Sequence, residues 1–245
     1  MTNHWTRFTI VLLMIILILP FKVLSQGTND RLSEQIVGLL DPVYGVDQRL
    51  VSGSLYHEPR RGSITGCAYF IDEAWKKGSV TIGNLTYDNL DLKYDIEQNQ
   101  IVLKFTNINS SVLEISLKKE NIDNFVMKGR LFVPYPGTHK YDTAKFCELV
   151  VSGEMNYLIL KTKVLMLSNK DMTDYVYKEY IKQFLLMNNQ LIPFKTRRNI
   201  YNLYPEHKQE LRRYLRSQGL DPMKNRINDR KAMIKYCNQL ISGQN

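Results

Sequence analysis

Histidine, cysteine and acidic side chains are where this 245-residue chain could do chemistry, and their spacing argues against most of it. Beyond residue 25 the histidines are His57, His139 and His207. Each stands alone, so neither a zinc-protease helix nor a Cys/His ligand set is spelled out. His207 falls one turn into a stretch rich in Lys and Arg and reads as a surface residue. Cys67, Cys147 and Cys237 are far apart, which excludes a CxxC redox or zinc pattern and leaves at least one thiol unpaired, with one disulfide open to an oxidising compartment. Cys147 lies in the strand-like run Lys145 to Val151 and Cys237 on the apolar stripe of a helix, so both read as buried, inert thiols. Gly62-Ser63-Ile64-Thr65-Gly66 has the outline of a nucleophile elbow but carries Ile at the centre. Phosphate-cradling loops, a dinucleotide fingerprint and a calcium loop are missing as well. The sequence therefore offers no catalytic residue, no cofactor site and no metal site.

Three weaker constellations remain. Asp88, Asp91 and Asp95 sit close enough for acid and base work or cation binding, yet Asp91 and Asp95 occupy the polar phase of an alternating strand and read as solvent-face acids. Tyr175, Tyr177 and Tyr180 form a strip that could stack on sugar rings or bases, with sheet packing the stronger explanation. Arg197, Arg198, Arg212, Arg213 and Arg216 form a basic cluster, and its place in the charge distribution is informative. The net charge of +9 divides into +2 before residue 26, −1 over residues 26–192 and +8 over residues 193–245. The basicity belongs to the C-terminal segment and suits an anionic partner, an envelope protein or an anionic envelope surface. These five arginines are the expected partner-binding residues.

The elements that must position such groups read as strands first and helices afterwards. Leu90, Leu92, Tyr94 and Ile96 alternate with polar residues, Gln98-Asn99-Gln100 turns the chain, and Ile101, Leu103 and Phe105 resume the period of two. Leu113, Ile115 and Leu117 continue it. Phe125 to Val133 reads as a further strand stopped by Pro134-Tyr135-Pro136-Gly137. Phe146 to Ser152 and Tyr157 to Leu167 form a long hairpin about Gly153 to Asn156, and the apolar runs at 149–151 and 164–167 predict burial on both faces at the centre of the sheet. Phe184 to Met187 and Gln190 to Ile192 read as a small hairpin about Asn188-Asn189. Thr196 caps a short helix, Pro205-Glu206 opens a second that stops at Gly219, and a third begins near Asn228-Asp229 with Met233, Tyr236, Cys237, Leu240 and Ile241 on one face.

The first residues carry an address. Arg7, the apolar run Phe8 to Leu19 and Val23-Leu24-Ser25 before Gln26 have the form of a cleaved secretory signal peptide, and the apolar run is too short for a spanning helix. The expected organisation is a signal peptide over 1–25, an N-terminal arm over 26–77 with Cys67 to Ile71 joining the sheet, an antiparallel β domain over 78–183, and a small hairpin plus helical cap over 184–245. The fold class is α+β, with an antiparallel β meander as a curved sheet or half-barrel followed by the hairpin and the basic helical segment.

Lys77-Gly78-Ser79-Val80, the run Leu85 to Ile96, the stretch Tyr204-Pro205-Glu206-His207-Lys208-Gln209-Glu210-Leu211-Arg212-Arg213-Tyr214-Leu215 and the closing run Met233 to Leu240 together resemble a group of uncharacterised exported proteins of Bacteroidetes-type bacteria. The resemblance implies an envelope location and a β-then-α layout, with no activity to carry over. In such a host Asp142-Thr143-Ala144 also has the form of a short O-glycosylation motif. The functional reading is an exported, non-enzymatic protein, periplasmic or outer-membrane-associated, that binds a partner protein or envelope component through its β domain and basic helices. Its alternatives are a hydrolase of envelope glycans or lipids and a periplasmic carrier of an apolar ligand. Nucleic acid is an unlikely partner for an exported chain, and no span is expected after signal cleavage.

Overall fold

The computed structural model describes residues 47–58, 63–106, 110–137, 145–168, 174–222, 224 and 227–243. The chain divides after Asp47, and the described elements belong to the unit beginning at Gln48. The expected signal peptide and the motif at Asp142 lie outside the described residues.

A short helix, α1 (Gln48–Val51), precedes twelve strands: β1 (Ser54–Leu55), β2 (Ser63–Thr65), β3 (Lys76–Ile82), β4 (Leu85–Asp95), β5 (Gln100–Thr106), β6 (Val112–Ser116), β7 (Asn124–Met127), β8 (Arg130–Pro134), β9 (Phe146–Val151), β10 (Asn156–Leu167), β11 (Asp174–Met187) and β12 (Gln190–Pro193). Helices α2 (Arg197–Leu203), α3 (Lys208–Ser217) and α4 (Ile227–Ser242) follow. All twelve strands share one sheet in the order β1-β6-β5-β4-β3-β7-β8-β9-β10-β11-β12, and β2 pairs with β11. The chain meanders outward from β3 to β6, returns through a 3₁₀ turn at Lys119–Asn121, and meanders the other way from β7 to β12. Among the described residues no helix is long and apolar enough to cross a membrane.

Local chemistry accounts for the hairpins. Gly83 (φ +59°), Asn99 (+56°), Lys128 (+54°) with Gly129 (+67°), and Asn188 (+48°) with Asn189 (+59°) supply the left-handed backbone that tight turns between twisted strands require. The Lys128-Gly129 turn divides Phe125 to Val133 into β7 and β8, where the sequence reads one strand; both central residues take positive φ, so the run folds back and Phe125 pairs with Phe132.

The sheet is rolled. Four strand spacings separate β4 from β9, about 19 Å in a flat sheet, yet the Tyr94 hydroxyl donates to the Phe146 carbonyl at 3.3 Å. The roll meets itself where the Lys163 amide of β10 donates to the Ile96 carbonyl at 3.2 Å, while Lys163 Nζ donates to the carbonyls of Cys67 (2.9 Å) and Tyr69 (2.5 Å). Its interior is packed with Phe70, Tyr94, Phe125, Phe132 and Phe146, with the Phe125 and Phe132 rings stacked at 4.5 Å. The segment around Tyr69 reaches the sheet through an isolated bridge to Asp95.

Two expectations need correction. The sheet is mixed, because β2 runs parallel to β11. Val164, Met166 and Leu167 are exposed rather than central: β10 outruns β9, whose register reaches only Tyr157 to Ile159, so among the described residues no strand pairs with the outer edge of β10 beside them. The small hairpin read at Phe184 to Ile192 is present, Phe184 to Met187 pairing with Gln190 to Pro193 about Asn188-Asn189, and its first arm is the last part of the fourteen-residue strand β11.

Candidate anion-binding site

Where β12 ends, four elements meet. Pro193 has no amide hydrogen, so regular pairing with β11 stops there, apart from one bond in which the Phe194 N–H donates to the Gln183 carbonyl at 2.8 Å. The amides of Lys195 and Thr196 then donate to Asn199 Oδ1 at 3.2 and 2.8 Å, fixing the start of α2. Helix α3 stops as predicted at Gly219 (φ +61°), with the paired bonds Leu220 N–H to Leu215 O (2.9 Å) and Gly219 N–H to Arg216 O (3.2 Å) of a Schellman motif. That turn delivers Asp221, whose amide donates to Asp229 in the first turn of α4 at 3.0 Å, and sets the Pro222 carbonyl over the next residue, Arg230. Helix α4 is seated on the β9–β10 turn by Asn238, which donates to the Met155 carbonyl (3.0 Å) and accepts from the Met155 amide (2.9 Å).

Arg230 is 5% exposed. Its Nε donates to the Pro222 carbonyl at 2.9 Å, and Nη1 donates to the Phe194 carbonyl at 3.1 Å and to Gln183 Oε1 at 2.5 Å. The guanidinium lies 4.7 Å from the centre of the Phe194 ring. Gln183 Oε1 also accepts from the Tyr157 hydroxyl, whose pKa burial pushes up to about 12 against the opposing pull of Arg230. Arg230 forms no ion pair with any described carboxylate, and Nη2 has no protein acceptor among the described residues.

This guanidinium lines a cleft of about 710 Å³ with Lys182 and Lys195, over an aromatic floor that includes Tyr135, Phe184 and Phe194. Described residues lining the cleft include no carboxylate. A buried cation whose hydrogen-bond acceptors among the described residues are all carbonyl oxygens, beside two lysines, sets a positive potential in a partly desolvated cavity, where an anion gains more than it would in water. With Nε and Nη1 engaged, Nη2 is the group left to donate a charge-assisted hydrogen bond to a carboxylate or phosphate.

No family model, curated protein or solved structure matches the chain. The cleft therefore has to be read from its own chemistry.

The basic cluster expected from sequence lies on the neighbouring helices. Arg198 on α2 and Arg212, Arg213 and Arg216 on α3 are exposed, and Arg212 stacks 5.4 Å from the Tyr201 ring. Arg197 opens α2, and its side chain lies outside the described residues. Arg198, Arg212, Arg213 and Arg216 do not line the cleft. The tyrosine strip does not form one face: Tyr175 and Tyr177 project on the side opposite Tyr180, and the Tyr177 hydroxyl donates to Glu97 at 2.8 Å. The acids do not converge. Asp91 pairs with Lys77 at 3.0 Å, while Asp95 is fully buried and accepts from Tyr56 and from the amides of Glu97 and Gln98. Two acids, Glu148 and Asp229, line a separate cleft of about 870 Å³, where Glu148 pairs with Arg130 at 3.1 Å and Asp229 holds the Asp221 amide. All three cysteines are free thiols, and burial pushes Cys147 and Cys237 up to about 12.

Arg230, Lys182 and Lys195 were not singled out from the sequence. A signal was present for one of them. Arg230 precedes Met233, Ile234 and Cys237 by three, four and seven residues and so lies in the phase of the buried stripe, where an arginine calls for an acceptor.

Proposed function

We propose that this is an exported, non-enzymatic binding protein that anchors an envelope component through an anionic group, held in the cleft between its β domain and its basic helices. The observation that carries the reading is Arg230, nearly fully buried, without a carboxylate partner among the described residues, and lining a cleft with Lys182 and Lys195. A cation is rarely buried on carbonyls alone, because its desolvation costs several kcal/mol in practice; an incoming anion supplies the missing counter-charge. Arg198, Arg212, Arg213 and Arg216 then add long-range attraction that speeds encounter and is screened by salt. The export address and the likeness to exported Bacteroidetes-type proteins support an envelope partner.

The test places a photoreactive side chain at position 195 of the protein in its native host. The reading expects one recurrent adduct in the intact envelope, lost when Lys182→Glu is added and retained with Arg212→Gln. An adduct pattern that is indiscriminate, or unaffected by Lys182→Glu, would refute the cleft as the anchor.

A further inference from the structure

We infer that the partner enters as an extended peptide, adding as a strand parallel to β11 with its C-terminal carboxylate in the Arg230 cleft; this rests on the anion-binding reading. Strand β11 is paired with β10 along nearly its whole length. Among the described residues its other edge is covered only at the ends, by β2 opposite Asp174 to Val176 and by β12 opposite Phe184 to Met187. Residues 178–182 between them are all exposed. Because the Gln183 carbonyl points to the β12 side, where it accepts from Phe194, strand alternation directs the N–H and C=O groups of Glu179 and Ile181 to that same edge. They meet no strand among the described residues. This is the arrangement that strand addition uses.

Direction follows from β2. It lies parallel to β11 on this edge, and its line runs from Thr65, opposite Val176, toward Ile181 and the cleft, while its own chain leaves at Gly66 (φ +87°). A strand continuing that line finishes beside Lys182 and Gln183, which line the cleft with Arg230. Its carboxyl end, not its amino end, therefore meets the cations. Charge agrees: Lys178 and Lys182 flank the gap, and Glu179, the one acid there, is engaged with Lys161 at 3.4 Å. Lysines on an open edge also oppose pairing between copies of the same chain, which leaves an acidic or carboxylate-terminated segment as the favoured guest.

The experiment incubates the protein with a hexapeptide pool, randomised and bearing free carboxyl termini, and with the same pool amidated, and reads retained peptides by mass spectrometry. Free-acid peptides are expected to be retained about tenfold more, the worth of one charge-assisted contact. Glu179→Pro removes an edge-facing amide, together with the Lys161 ion pair, and keeps the β10 ladder, so it should abolish peptide retention while acetate still shifts the Arg230 Nε–Hε resonance. Peptide retained by Glu179→Pro would overturn strand addition and leave the anion reading standing, and equal retention of amidated peptides would overturn the carboxylate contact. Loss of both acetate shift and peptide retention in the unmodified protein would sink both readings. Should Glu179→Pro fail to fold, amide exchange in the unmodified protein decides: a retained peptide must slow exchange at Glu179 and Ile181 about tenfold, and unchanged exchange overturns the inference.

Discussion

Replacing Arg230 with Met keeps the length of the side chain and removes its charge and all its donors. Two carbonyls, Phe194 and Pro222, lose the Arg230 donor, at about 1–3 kcal/mol each if left unsatisfied. Gln183 Oε1 keeps Tyr157 as its donor and loses less. The stacking contact with Phe194 at 4.7 Å adds about 1 kcal/mol. Against these stands the relief of a buried guanidinium without a counter-ion among the described residues, worth several kcal/mol. The net expectation is a loss of about 1–3 kcal/mol, or a Tm lower by about 3–10 °C for a domain of this size. Urea melts followed by circular dichroism, with and without sodium phosphate, measure it. Phosphate at tenfold its Kd should add about 1.4 kcal/mol to the parent and nothing to Arg230→Met. A loss above about 4 kcal/mol would be the signature of breaking a buried ion pair and would refute the claim that Arg230 lacks one. Equal stabilisation of both proteins by phosphate would refute the cleft as the anion site.

Three further expectations test the frame around the cleft. Asn238→Ala strands both backbone groups of Met155 and should cost about 2–4 kcal/mol; Gly153→Ala, whose new Cβ would stand 2.4 Å from Asn238 Nδ2, should disturb the same clamp, and denaturant melts of the double variant should show less than the summed loss. Burial raises Cys147 and Cys237 from 9.0 to about 12 and Tyr69 and Tyr157 from 10.0 to about 12, so their protonated forms favour the folded state; stability should be intact below pH 9 and decline as pH rises toward 12, and a Tm higher at pH 11 than at pH 8 would contradict this. Neutralising Arg212 and Arg213 together, both exposed, should weaken envelope association at low ionic strength while shifting Tm by no more than about 1–2 °C, as co-sedimentation and thermal melts would show.

The sequence disclosed what is local. Asn and Gly turns and period-two runs located most of the hairpins, and Gly219 marked the end of α3 because only the left-handed cap satisfies the last carbonyls there. The roll was not legible. It depends on contacts such as Tyr94 with Phe146, fifty-two residues apart, and on β3 pairing with β7 across the whole outer meander. The apolar run Val164 to Leu167 misled for a related reason, since burial there requires a neighbour that β9 is too short to provide. The expected arginines were visible because charge density is a property of composition. The cleft was not, because Lys182, Lys195 and Arg230 come together only when β11, the end of β12 and α4 converge.

The most direct test of the central claim is an NMR titration of the protein with sodium acetate at constant ionic strength, following the Arg230 Nε–Hε and Lys195 amide resonances. The account predicts a saturable shift at both, lost in Lys182→Glu with Lys195→Glu, where the Arg230 Nε–Hε resonance carries the comparison. A shift that never saturates, or that survives the double charge reversal unchanged, would show that the cleft does not hold an anion.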